Sequence, residues 1–150
     1  MTEPLFPLFL KLTGRPVLVV GAGPVGAGKA AGLVRAGAVV TIVAPEVSTA
    51  ASDLPVTFVR RAFRESDLEG AWLVVAAAPP EVNRSVLAAA ESRRIFVNAV
   101  DDPAHASAYT GGVVSRGAAT IALSTAGLAP AISGLLREAA FRLRDHRLAL

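Results

Sequence analysis

Val17-Leu18-Val19-Val20-Gly21-Ala22-Gly23-Pro24-Val25-Gly26 decides how this chain is read. Four apolar residues, three of them β-branched, run into a glycine turn. From there Ala30, Leu33 and Val34 recur at helical spacing until Gly37. A strand that turns through glycines straight into a helix is the setting of the dinucleotide fingerprint. In it Gly21 permits the tight turn, Gly23 admits a pyrophosphate to the backbone, and Gly26 lets helix touch strand. An anion bound there rests on the unpaired N–H groups at the helix N-terminus, which the helix dipole favours.

Gly23-Pro24-Val25-Gly26-Ala27-Gly28-Lys29 also matches the phosphate loop of nucleoside triphosphatases as far as its lysine. That chemistry needs Ser or Thr next, to hold magnesium, and the next residue is Ala30. Residues 74–78, at the end of a later strand, offer no aspartate for the metal either. The triphosphatase reading is set aside, and Lys29 is expected to be a solvated or cofactor-adjacent helix residue.

Beyond the fingerprint, apolar β-branched runs predict strands at residues 39–43, 56–59, 72–77 and 95–100, with a short polar turn or helix at 65–69. Pro80-Glu81 opens a helix to about Arg93, with Val82, Val86, Leu87 and Ala90 on one face. Residues 5–12 are apolar but contain Pro7, which suits an edge strand or packed arm better than a helix. The alternation predicts an α/β fold, a Rossmann-like, doubly wound parallel sheet over residues 1–112. The rhythm then changes. Two short strands, 113–116 and 120–123, precede a helix from Pro130 to about Arg144, with Ile132, Leu135, Leu136, Ala139 and Leu143 as an apolar stripe. Two strands and one helix cannot bury that stripe alone, so 113–150 reads as a small strand-strand-helix dimerisation segment.

The 150 residues are 53% hydrophobic and 18% charged, which excludes a disordered chain. No apolar run is long enough to span a membrane, and Met1-Thr2-Glu3-Pro4 lacks a secretory signal's basic start. Without cysteine there are no disulfides, thiolate metal sites or cysteine nucleophile, and cytoplasmic residence is the default. The net charge of +3 comes with arginine runs at Arg60, Arg61, Arg64 and at Arg137, Arg142, Arg144, Arg147. Only 5% of residues are aromatic, so stacking on nucleic acid is not expected, and a small polyanion suits the modest field as well.

In such a sheet the ligand crevice lies beyond the carboxyl ends of the strands, where strand order reverses. The chain places there the glycine turn, Ala44-Pro45-Glu46, Ala78-Pro79-Pro80 and Asn98-Ala99-Val100-Asp101-Asp102. Ala44 occupies the spot where an acid usually holds the adenosine ribose, and Glu46 follows shortly after. No arginine lies between Thr41 and Ser52 to clamp a 2′-phosphate, so NAD is expected over NADP. Asp101 is the candidate acid–base group, although an Asp ahead of Asp102-Pro103 also suits an ordinary turn. His105 could exchange protons nearby. A Tyr-x-x-x-Lys dyad, a Gly-x-Ser-x-Gly nucleophile elbow and a zinc ligand set are all missing, so no metal site is expected.

These residues, taken in order, resemble the precorrin-2 dehydrogenases, including the N-terminal part of sirohaem synthases. The likeness starts at Pro7-Leu8-Phe9-Leu10-Lys11-Leu12 and runs through the fingerprint, Val40-Thr41-Ile42-Val43-Ala44-Pro45, Val82-Asn83 and Arg93-Arg94-Ile95-Phe96-Val97-Asn98. It closes on Asp101, Ser124-Thr125-Ala126-Gly127-Leu128-Ala129-Pro130 and Leu135-Leu136-Arg137-Glu138. The resemblance implies NAD-dependent oxidation of precorrin-2 to sirohydrochlorin, toward sirohaem or cobalamin, by a homodimer joined after about residue 112. It implies Asp101 as the catalytic carboxylate and cofactor contacts at Pro24, Val25, Pro45 and Glu46. Some relatives also insert iron into the product. Many carry Thr and Asp where this chain has Ala78-Pro79-Pro80, which bears on side-chain contacts there. A non-catalytic dinucleotide-sensing module is the alternative of a different class.

Overall fold

A computed structural model describes residues 4–100, 102, 104–116, 119–124 and 134. The described residues fall into two compact units, Pro7–Ala108 and a smaller one that takes in the chain from Tyr109. The helix expected after Pro130 lies outside the described residues.

The first unit carries β1 (Pro16–Val20), α1 (Pro24–Arg35), β2 (Val39–Val43), the short α2 (Thr49–Ser52), β3 (Thr57–Val59), a 3₁₀ turn (Glu65–Leu68), β4 (Leu73–Ala76), α3 (Pro80–Ser92) and β5 (Phe96–Ala99). The five strands are all parallel, in the order β3-β2-β1-β4-β5. The chain therefore builds outward from β1 to β3, then crosses back to lay β4 on the other side of β1. The strand order reverses between β1 and β4.

Successive side chains point to opposite faces, and both faces are covered. Leu18, Val20, Val43, Val74, Ala76 and Val97 pack on one face with Val86, Ala89 and Ala90 of α3 and with Leu68 of the 3₁₀ turn. Val19, Val40, Ile42 and Val75 pack on the other with Ala27 and Ala30 of α1 and Ala51 of α2. Near-continuous Val, Ile and Leu in β1, β2 and β4 is what a strand buried on both faces requires.

Helix ends follow local chemistry. Proline begins both long helices, Pro24 and Pro80, where its missing N–H removes nothing. Gly37, at φ 81°, ends α1, with its N–H on the Val34 carbonyl and that of Ala38 on the Leu33 carbonyl. This is the paired closure of a Schellman turn. α3 closes identically, Arg94 to Glu91 and Ile95 to Ala90, but with Arg94 at φ 57° in the left-handed position.

Two expectations shift. Trp72 lies just outside β4 and is 60% exposed, with the Arg15 guanidinium 4.2 Å from its ring centroid. It continues the apolar run one residue ahead of β4, at the amino-terminal edge of the sheet. Residues 4–10 make no strand, and only Leu12 of this apolar segment is buried. Its proline denies it a place in the ladder.

In the smaller unit, β6 (Gly112–Arg116) and β7 (Ala119–Leu123) form an antiparallel hairpin pairing Gly112 with Leu123 and Val114 with Ile121.

Candidate functional site

The ladder carries past the strand ends, and this gathers the loops at one edge. Gly21 N–H donates to the Val43 carbonyl (2.9 Å), Ala77 N–H to Val20 (2.8 Å), Ala44 N–H to Val59 (3.2 Å) and Val100 N–H to Ala76 (3.1 Å). The glycine turn, the segment after β2, the segment after β4 and the residues after β5 thus share the carboxyl-terminal edge. The reversal between β1 and β4 lies at its centre.

Each glycine of the turn has a separate physical reason. Gly21 sits at φ 105°, and a Cβ there would overlap the Ala77 backbone carbonyl. A Cβ on Gly26 would overlap the Gly21 carbonyl oxygen, so α1 approaches β1 closely only because residue 26 is bare. At Gly23 a Cβ would meet nothing within 4 Å, so there bareness serves no neighbour in the protein. Gly23, Pro24 and Val25 are exposed, whereas Ala22 and Gly26 are buried.

The start of α1 is electrostatically prepared. Pro24 brings no N–H, Ala27 N–H bonds the Gly23 carbonyl (2.9 Å), and the amides of Val25 and Gly26 have no helical carbonyl behind them. The first turn holds no acidic residue, and Gly23 caps without a side chain. The first turn itself therefore carries no charge to offset the positive end of the helix dipole. Lys29, one turn on, is half-buried rather than solvated, and burial pulls its pKa below the usual lysine value.

Pro45 and Glu46, the other expected cofactor contacts, are exposed just past β2. Ser48 N–H donates to the Ala22 carbonyl (3.2 Å), which ties this segment to the glycine turn and sets Pro45 and Glu46 near it. The Ser48 hydroxyl oxygen is buried and has no hydrogen-bond partner among the described residues. An orphaned hydroxyl beside an open, donor-lined turn, with the bare Gly23, fits a phosphate- and ribose-bearing ligand. Sequence reasoning missed Ser48, because nothing in a serine two residues past a carboxylate signals burial.

Past β4 the arrangement is different. Ala78 N–H donates to Oδ1 of Asn83 (3.0 Å), a side chain 3% exposed. Asn83 thus ties down the loop amide that precedes its own helix. After β5, Asn98 Nδ2 donates to the Ala108 carbonyl (2.9 Å), and Ser107 Oγ accepts from Val97 N–H (2.8 Å). Residues 107–108 are thereby held along β5. In the loop between, His105 Nδ1 lies 2.8 Å from both carboxylate oxygens of Asp102, and its N–H closes a turn on the Asp102 carbonyl. Asp101 lies outside the described residues. Among the described residues no group of three or more His, Asp or Glu side chains could hold a metal ion, and no helix is long and apolar enough to cross a membrane.

Comparison with known proteins bears on the same edge. A family model described as "Putative NAD(P)-binding" matches residues 8–112. The siroheme synthase 1 of Aeromonas hydrophila is 43% identical over 137 residues, which is 88% of this chain and 30% of that protein. The siroheme synthase of Citrobacter koseri is 42% identical, with the same coverage of each. The chain thus spans about 30% of the length of these curated relatives. Among solved structures, the fold is similar to SirC, precorrin-2 dehydrogenase, with a TM-score of 0.76 and 26% identity over 94% of this chain and 72% of that one. The chain is similar to siroheme synthases over part of their length and to a precorrin-2 dehydrogenase in fold, and it belongs to this NAD(P)-binding family.

Proposed function

We propose that the protein is an NAD-dependent dehydrogenase that oxidises precorrin-2 to sirohydrochlorin, on the way to sirohaem or cobalamin. The observation that carries this reading is the glycine turn at the strand-order reversal. It is bare at Gly23, lined by unpaired amides and flanked by the orphaned Ser48 hydroxyl. The similarity to SirC, over 94% of this chain, supports the substrate class.

When bound, the nicotinamide supplies the hydride acceptor. The chain's part is to hold and orient. The amides of Val25 and Gly26 would receive the pyrophosphate, and Pro45, Glu46 and Ser48 would line the adenosine ribose. Asp101, just past β5, would take the proton that leaves with the hydride. The substrate's eight carboxylates meet a chain of net charge +3, so the protein's field favours its approach. The protein would act in the cytoplasm as a homodimer joined by the segment after residue 112. The exposure of Val113 and Ile121 on the hairpin supports an apolar contact there.

The test is direct. Purified protein given NAD and enzymically made precorrin-2 should yield NADH together with the absorption spectrum of sirohydrochlorin. Dinucleotide binding with no turnover would make the chain a sensing module. Asp101→Asn should lower turnover at least about a hundredfold and leave dinucleotide affinity unchanged. Insertion of iron or cobalt into sirohydrochlorin without NAD, measured separately, decides whether chelation belongs to the same chain.

A further inference from the structure

We propose that the adenosine end of the site also accepts a 2′-phosphate, with Arg60 as the cation that binds it, so that the protein takes NADP as well as NAD. The proposal rests on the dinucleotide reading of the glycine turn and concerns the other end of the same ligand.

Discrimination between the two dinucleotides depends on the charge at the end of the second strand. A carboxylate there binds the ribose hydroxyl and repels a phosphate, whereas an arginine nearby accommodates the phosphate. In this chain the residue at that point is the neutral, buried Ala44. The linear sequence brings no arginine to it, but the sheet does. β2 and β3 run parallel with Ile42 beside Phe58 and Val43 beside Val59. One step on, Ala44 donates its N–H to the Val59 carbonyl, so Arg60 leaves β3 beside Ala44 at the carboxyl-terminal edge.

The neighbouring arginine is already committed. Arg61 meets Asp67 through both guanidinium nitrogens, at 2.8 Å and 2.5 Å, and Asp67 also accepts from Arg64 N–H at 2.8 Å. This pairing anchors the link from β3 into the 3₁₀ turn. Arg60 has no carboxylate within ion-pair distance among the described residues. It is exposed, and its guanidinium carbon lies 6.0 Å from the centroid of the Phe58 ring, at the outer limit of a cation–π contact. Glu46, two residues beyond Ala44, is likewise exposed and in no ion pair among the described residues. The edge therefore offers a guanidinium for a 2′-phosphate and a carboxylate for a 2′-hydroxyl, each able to swing clear of the other's ligand. A guanidinium takes a phosphate through two parallel N–H donors, which a hydroxyl cannot match.

The experiment is calorimetric titration of the full chain with NAD and with NADP, for the wild type, Arg60→Ala and Arg60→Lys, with melting temperatures as the control on folding. Both dinucleotides should bind the wild type within about tenfold of each other. Arg60→Ala should weaken NADP about tenfold or more and change NAD less than twofold, and Arg60→Lys should recover part of the loss. Added salt should weaken NADP more than NAD. Equal losses for the two ligands, no loss for either, or binding of NAD but not NADP to the wild type would overturn the role of Arg60 and leave the dinucleotide site standing. Binding of neither ligand to a folded wild type would overturn the underlying reading, and the proposal with it.

Discussion

The first unit contains the same strand–helix–strand unit twice, and the two copies hold the turn that leads into their helix in different ways. In β1–α1–β2 the turn is glycine, the first helical turn carries no acid, and the leading amides meet no side chain. In β4–α3–β5 the turn is Ala78-Pro79-Pro80, Glu81 stands in the first turn, and Asn83 takes up the Ala78 N–H. Both helices begin with proline and close with a Schellman turn, so backbone architecture does not separate them. Neither helix has a side-chain cap; what separates them is the acid in the first turn of α3 and the side chain that ties down the turn ahead of it. The turn before α3 is held by a side chain, and the turn before α1 by the close fit of its glycines.

The comparison can be broken at several points. The largest effect is expected from Gly21→Ala, which puts a Cβ against the Ala77 carbonyl in a left-handed backbone. It should lose about 3 kcal/mol or more of stability and be read as a collapsed melting temperature. Asn83→Ala should cost about 1–3 kcal/mol in thermal or urea unfolding, because the Ala78 amide is left without its acceptor. An unchanged stability would mean that the second turn is not closed by its own side chain.

Gly23→Ala sharpens the contrast from the other side. With open space around residue 23 and an ordinary φ of −70°, the melting temperature should stay within about 1 °C. Dinucleotide affinity should nevertheless fall about tenfold or more, because the methyl group stands where the pyrophosphate approaches. Arg94→Gly should make the end of α3 like that of α1 and stabilise the protein by about 1 kcal/mol, since only the left-handed strain is removed.

The smallest effect concerns the link between the copies. Arg61, first by its hydrogen bonds and then by its charge, holds the Asp67 carboxyl below the ordinary value of 3.8. Because the folded pKa is the lower one, this stabilisation is fully present above that value and is lost as pH falls through and below it. The difference in unfolding free energy between wild type and Asp67→Asn should be about 1 kcal/mol at neutral pH and shrink toward pH 3.

The fold was legible because its signals are local. Apolar β-branched runs, proline at a helix start, Gly37 at a helix end and the spacing Gly21, Gly23, Gly26 each act within a few residues, and each stands in the structure where the sequence puts it. The site was legible in its backbone and not in its side chains. Asn83 acts across five residues on an amide, and its role depends on a helix direction that spacing does not encode. Ser48 became visible only when α2 buried it beside Ala22. Arg60 is 16 residues from Ala44 in sequence, and parallel pairing makes them neighbours. Trp72 misled for the reverse reason: its hydrophobicity predicts burial, but it stands exposed one residue ahead of β4, under the Arg15 guanidinium.

The empty-handed start of α1 has one further consequence. A grip made of peptide amides has no proton to gain or lose anywhere in the physiological range, and a guanidinium is equally indifferent. Occupancy by NAD should therefore be level from mildly acidic to mildly alkaline buffers. Any bell or slope in the rate measured at saturating coenzyme would then report on the groups that handle the departing proton, and not on how the coenzyme is held.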